Sequence, residues 1–360
     1  MHKPFWRVSA ACLIDGYPRQ PALAGGRWWN PGTEGGTAMR RWITALIVLG
    51  TAGAGVVTAA PAAVAASPGC LVVDTNSNQS YPSSQAAVSA AAAGDTLFVK
   101  GTCTGLTVIP TSLTSLTITG QSNGGTKTAT LAGRLVIDSV TVTLNDLVFT
   151  NSPNAGGGIF ARLATVTLND STVTNTKFGT GIENASGTVT LNGNSSVTGN
   201  TVSQRLTAGG IDNINGTLIM NGNSRVAGNT GDTGGGIQNS GTGRATLIMN
   251  GSSTVTGNTA SGGGGGIFNN GGTVTLNDSS SITGNTNPGP FGGGIDNLGG
   301  GTVTLNNGSS ITGNVAGTPG IITGHGGGIY NDCGGTLNGA VSGGNVFGNS
   351  PDNIASNPLC

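Results

Sequence analysis

A motif recurs seven times through the C-terminal two thirds of this chain. Gly-Gly-Gly-Ile or a close variant is followed by Thr-Val-Thr-Leu-Asn and then by Ser-x-Ile/Val-Thr-Gly-Asn. The repeated isoleucines are Ile159, Ile182, Ile211, Ile237, Ile267, Ile295 and Ile329, at uneven gaps of 23 to 34 residues. The unevenness is local. Leu191, Met220, Met249, Leu276 and Leu305 each stand nine residues before the next Gly-Asn asparagine. The variation falls between that Gly-Asn and the next glycine run, as in "TNPGPF" or "VAGTPGIITGH". Each unit therefore has fixed sides and one variable corner.

Each fixed side alternates apolar and polar residues with period two, the pattern of a β-strand with one buried face. Asn-Gly, Asn-Asp and Gly-Gly between the runs are turn signals. None of the links is long enough for a helical crossover. The pattern predicts an all-β fold: a three-stranded parallel β-helix, each strand stacking on its counterpart one coil away at ~4.8 Å, right-handed as parallel crossovers nearly always are. In the coil Gly292–Asn314 the inward residues are Ile295, Val303, Leu305 and Ile311, with Thr302 and Thr304 outward. Four buried aliphatics contribute about 1.5–3 kcal/mol each. Ordering some two dozen residues costs ~1–2 kcal/mol per residue, so one coil cannot stand alone and the unit must repeat. Stacking also explains the asparagines Asn213, Asn239, Asn269 and Asn297, and Asn200, Asn229, Asn258, Asn285 and Asn314, whose amides can bond up a column.

Less regular strands precede Gly156. Before them "SSQAAVSAAAAGD" predicts a short helix, capped by Ser83 or Ser84 and ended by Gly94, that closes the N-terminal end of the coil. From Met39 the chain reads as a secretory signal: Arg40 and Arg41, an apolar run Trp42–Val57, and small residues at Ala63-Val64-Ala65 for cleavage near Ala65 or Ala66. Residues 1–38 read as an over-extended, unstructured start, 39–66 as the signal peptide, 67–94 as the N-terminal cap, 95–349 as the β-helix and 350–360 as the C-terminal cap. No later run is long enough to span a bilayer. The expected location is secreted, extracellular or cell-surface associated.

Charge narrows the partners. Lys+Arg and Asp+Glu number 14 each, 8% of 360 residues, so no basic patch is present to hold nucleic acid. The mature chain keeps Cys70, Cys103, Cys333 and Cys360, two near each end. A rod some ten coils long separates the two pairs by far more than the ~7 Å that a disulfide tolerates between Cα atoms, so the expected bridges are Cys70–Cys103 and Cys333–Cys360. No Cys/His cluster suggests a metal, and no cofactor is expected.

The repeats resemble those of chlamydial-type polymorphic outer-membrane proteins, which pair a Gly-Gly-aliphatic motif with Phe-x-x-Asn. Here Val255, Ile282 or Ile311 stands at the phenylalanine, and no C-terminal membrane barrel follows. The segment 86–105 resembles the opening coil of secreted bacterial right-handed β-helix proteins of the pectate-lyase-like superfamily. That superfamily holds lyases, hydrolases, adhesins and structural proteins, so the resemblance implies the fold and leaves the activity open. Of the polygalacturonase motifs only Gly324-His325-Gly326 is present, without the Asp-Asp or Arg-Ile-Lys partners.

One column carries chemistry. The residue after each repeated isoleucine is expected to point outward beside the variable corner: Phe160, Glu183, Asp212, Gln238, Phe268, Asp296 and Tyr330, with His325 nearby. Rings alternating with acids suit a sugar chain laid across the coils, as superfamily enzymes place their grooves on a comparable strand. Glu183 and Asp212 would stack ~5 Å apart, the spacing of paired carboxylates. The expected function is a structural or adhesive protein, not an enzyme, with polysaccharide as its ligand. The alternatives are a polysaccharide lyase or glycoside hydrolase acting through the carboxylates, and an ice-binding solenoid acting through the recurrent Thr-x-Thr.

Overall fold

The computed structural model describes residues 69–151, 158–177, 179–202, 207–306, 308–318, 320–339 and 345–357. The expected signal peptide, the start before it and Cys360 lie outside the described residues. The chain is a parallel β-solenoid. Three long sheets run its length, with twelve, ten and ten strands, and every neighbouring pair of repeats is joined in register.

The first sheet holds the Thr-Val-Thr-Leu strands, Thr141–Asn145 and Thr165–Asn169 onward to Thr302–Leu305 and Thr336–Gly339. Val142 pairs with Val166 and Leu144 with Leu168. Both columns are buried along the rod, with Met220 and Met249 replacing leucine in two coils. The second sheet holds the Ile-x-Asn strands, and the seven repeated isoleucines form one buried column. The third carries Val173, Val197, Val226, Val255, Ile282 and Ile311 inward. The core is thus a thin stack of aliphatic layers, and the four inward residues expected for the coil at Gly292 are all buried.

The asparagines form hydrogen-bonded ladders. In the second sheet Asn184, Asn213, Asn239, Asn269, Asn297 and Asn331 pass bonds of 2.6–2.8 Å from Nδ2 to Oδ1. At the corner after the third sheet Asn200, Asn229, Asn258, Asn285, Asn314 and Asn349 do the same at 2.9 Å. A ladder not foreseen from the sequence runs along the first sheet from Asn145 to Asn306. The corner ladder also serves the backbone: Asn258 Oδ1 accepts from the Asn229 amide, and Asn258 Nδ2 donates to the Val226 carbonyl. Because these groups are shut off from water, Asn258→Leu is expected to orphan several of them at about 1–3 kcal/mol each. The midpoint of urea unfolding should drop accordingly, while a replacement at an exposed position such as Thr273→Ser leaves it in place.

The turn chemistry follows one rule at the corner after the first sheet. Asp146, Asp170, Gly193, Gly222, Gly251, Asp278 and Gly308 all have φ between +47° and +88°. Only glycine and short polar residues take this conformation readily, which is why Asn-Gly and Asn-Asp recur there.

The glycine run has a different cause. A Cβ on Gly266 would lie 2.7 Å from the Gly294 carbonyl oxygen and 2.9 Å from Asn285 Nδ2. On Gly265 it would lie 2.6 Å from the Thr286 carbonyl carbon. Thr286 belongs to a fourth sheet, the main departure from the expected coil. The variable corner folds into four short parallel strands, Thr230–Thr233, Thr259–Gly263, Thr286–Asn287 and Val315–Ala316. Its backbone runs directly against that of the glycine run, so no side chain fits between.

At the N-terminal end Leu71–Asp74 pairs antiparallel with Thr96–Lys100 and covers the edge of the first sheet. The expected helix is Ser84–Ala90, with Ser83 as its cap, accepting from the Ala86 amide. It ends before Gly94, which instead shapes the following turn at φ +87°. Gln85 pairs with the edge of the second sheet: its Oε1 accepts from the Val108 amide at 2.7 Å and its Nε2 donates to the Val108 carbonyl at 3.3 Å. The helix is therefore a lid that satisfies an open strand edge. The Cys70–Cys103 disulfide is formed, with the Cα atoms 4.7 Å apart. Cys333 is also disulfide-bonded. The second sheet continues through Ile354–Ser356, which pairs with Ile329–Asn331 inside the segment expected as a C-terminal cap.

Candidate functional site

The register of the second sheet stacks the whole predicted column. Phe160 pairs with Glu183, Glu183 with Asp212, Asp212 with Gln238, Gln238 with Phe268, Phe268 with Asp296, and Asp296 with Tyr330. All seven side chains leave the sheet on the face opposite the isoleucines. That face is not uniformly open, however. Phe160, Glu183, Gln238 and Phe268 are half-buried, whereas Asp212, Asp296 and Tyr330 are only 5%, 3% and 6% exposed. The expectation of a solvent-facing column is corrected at these three. Long-range packing of the variable corner, which the repeat pattern does not encode, puts chain over part of the strand face.

At the open end, Arg134 projects from the strand before Phe160. Its guanidinium lies 5.1 Å from the Phe160 ring centroid and 3.4 Å from Glu183 Oε2. Burial raises the Glu183 pKa and the Arg134 charge opposes that rise. Asp212, one rung on, is pushed up to about 7, first by burial and then by the neighbouring Glu183 charge. Its Oδ1 has no hydrogen-bond partner. The two carboxyls thus sit on adjacent rungs in unlike settings, one ion-paired and the other buried and inclined to hold its proton.

Gln238 is held in place, with Thr233 Oγ1 2.5 Å from its Oε1 and Ser240 Oγ 3.1 Å from its Nε2. Beyond it Phe268, Asp296 and Tyr330 occupy successive rungs. Phe291, from the variable corner, packs on Tyr330 with ring centroids 4.4 Å apart and stacks toward the exposed His325 at 6.2 Å. His325 therefore joins the column through Phe291, and its neighbours in the Gly-rich loop offer no acid–base partner of the kind a triad needs. Phe291 was not foreseen, although the Pro-Phe in a variable corner was a legible signal. Asp296 is pushed up to about 7 by burial and secondarily by Asp332, and its Oδ1 also lacks a partner.

Two other features complete the survey. Outer positions of the first sheet between Thr141 and Asn306 carry only threonine, asparagine and two isoleucines, Ile219 and Ile248, all in register. A depression of about 510 Å³ beside Val315, Ile321, Ile322, Ser350 and Pro351 includes none of the column residues. Among the described residues no group of three His, Cys, Asp or Glu converges as a metal site, and no helix is long and apolar enough to cross a membrane.

Comparisons with protein-family models, with curated proteins and with solved structures find no match.

Proposed function

We propose that this chain is an exported structural or adhesive β-helix protein that binds polysaccharide along its ring-and-acid column. The observation that carries the reading is the in-register stack of Phe160, Glu183, Asp212, Gln238, Phe268, Asp296 and Tyr330, joined by Phe291. Flat rings give a sugar face an apolar contact, and the half-buried Glu183 and Gln238 give its hydroxyls acceptors. A Cys70–Cys103 bridge fits an oxidising compartment, which supports export. The glycine–isoleucine repeats and the opening coil support placing the chain beside the pectate-lyase-like β-helix proteins and the polymorphic outer-membrane repeats. The unlike settings of Glu183 and Asp212 keep hydrolysis or lyase chemistry as the question the same experiment answers.

A glycan-array screen at pH 8 identifies the sugar. Phe268→Ala and Phe291→Ala should then each weaken binding about tenfold, on the order of 1.4 kcal/mol, while Thr275→Ala on the first sheet leaves it unchanged. Glu183→Gln with Asp212→Asn should retain binding. Product release by the parent that this pair abolishes would make the protein an enzyme. Full binding by both ring variants would remove the column as the site.

A second reading rests on the first sheet. Its uncharged outer rows of threonine, interrupted by Ile219 and Ile248, form a regularly repeating surface, which could order a water layer and so bind ice. Ice-recrystallisation inhibition that Thr190→Lys abolishes and Phe268→Ala spares would establish that reading instead.

A further inference from the structure

Asp296 is an acid buried under a strip of chain that is poorly secured in part. A Cβ built on Gly263 would lie 2.7 Å from Asp296 Oδ2 and 3.0 Å from the Phe268 ring, and one on Gly292 would lie 2.6 Å from Asp296 Cβ. The backbone at Gly263 therefore lies directly on the carboxyl, and that at Gly292 on the root of the side chain. Of this strip only the strand Thr259–Gly263 is held loosely along its own sheet, whereas the turn ending at Gly292 is bonded to Gly317 and His325. Thr259–Gly263 meets Thr286–Asn287 through the single pair Thr259–Thr286, and its register with Thr230–Thr233 slips between Gly231 and Thr233. Short, irregular pairing of this kind opens at far lower free energy than the stacked core.

The charged and titratable groups around Asp296 give an anion no help. Asp332 and Tyr330 face it from its own sheet, with Asp332 adding repulsion. The fourth sheet brings Asp232, which accepts from Ser261 Oγ at 2.7 Å. His325 pairs with Phe291 through a parallel bridge, its ring 6.2 Å from that of Phe291. Among the described residues the ion pairs are Arg134–Glu183 and Arg162–Asp138, both remote from this strip.

We propose that strand Thr259–Gly263 is a cover that lifts when Asp296 gives its proton to water, baring more of the Phe268 ring. A neutral carboxyl tolerates the dry site. A carboxylate there has an unpartnered Oδ1, and the least costly way to hydrate it is to move the weakly paired strand. Burial places the change near neutral pH, so more of the half-buried Phe268 ring is available in mild alkali than in acid. As a control on ring access it rests on the glycan reading above, but the movement itself is measurable without any ligand.

The test is backbone hydrogen exchange of the full secreted chain and of Asp296→Asn, compared with each other at one pH at a time. At pH 8.5 the amides of 259–263 should exchange at least tenfold faster in the parent than in Asp296→Asn. At pH 5.5 the two should agree. Amides of the first sheet should show no such difference at either pH. Equal exchange of the strand at pH 8.5, or a parent-specific acceleration spread evenly over the rod, would overturn the proposal. Should Asp296→Asn not fold, Asp332→Asn removes the nearest like charge, and the strand at pH 8.5 should then exchange more slowly than in the parent; no slowing overturns it equally. A chain that binds no glycan yet shows the local acceleration loses the glycan reading and keeps the cover.

Discussion

Ile267→Asp is expected to abolish the cooperative fold. Ile267 is completely buried, paired with Ile237 on one side and Ile295 on the other. A carboxylate at that point stands in the aliphatic column of the core. It loses the burial of the isoleucine, about 1.5–3 kcal/mol, and adds an unpaired buried charge at several kcal/mol more. The sum, on the order of 5 kcal/mol, is comparable with the whole stability of an ordinary domain. A solenoid feels such a break along its length, because each coil is held by its two neighbours. Thr275→Asp, on the outer face of the next strand, should change stability by no more than about 0.5 kcal/mol. Urea unfolding of the pair distinguishes them, and equal midpoints would mean that the strand register is wrong.

The fold should also be less stable at pH 8 than at pH 5, and two substitutions should remove most of the difference. Asp212 and Asp296 are each pushed up to about 7 in the folded chain, against an unfolded value near 4. Between those values the folded chain holds a proton that the unfolded chain has released. Their contribution is therefore full below about pH 4, declines as pH rises, and is gone above about pH 7. A gap of about three units is worth on the order of 4 kcal/mol per group, an upper figure for Asp296 where local opening relieves the charge. Glu183 is shifted in the same direction. Asp74 works the opposite way: the hydroxyl of Ser77 donates to its carboxylate and lowers its pKa, so its contribution is lost only in stronger acid. Asp212→Asn with Asp296→Asn should raise the unfolding midpoint at pH 8 and flatten its decline from pH 5. A parent whose stability rises steadily over that range would show that neither carboxyl is buried as a neutral acid.

Sequence alone determined the coil, because every constraint on it is local or repeats. Period-two alternation at Val303 and Leu305 sets which face is buried. Residues tolerant of positive φ at Asp170, Gly193 and Gly222 set one corner, and the constant nine residues from Leu276 to Asn285 set the side between two corners. Identical residues then fall into register when the units stack, so the isoleucine column and two asparagine ladders were legible before any coordinates. The fate of the variable corner was not. Beyond the threonine that opens three of them, its four strands share no residue pattern, since they are held by backbone pairing and by contact with glycine backbone at Gly265. A strip of chain that packs through its backbone leaves little trace in side-chain periodicity. For the same reason the sequence could place Asp212 and Asp296 in one outward column with Glu183, but not show that two of the three are closed off from water. That depended on how far each corner reaches back over the sheet. Tertiary packing thus made three chemically similar acids different: one paired with Arg134, and two left as buried carboxyls that hold their protons close to neutral pH.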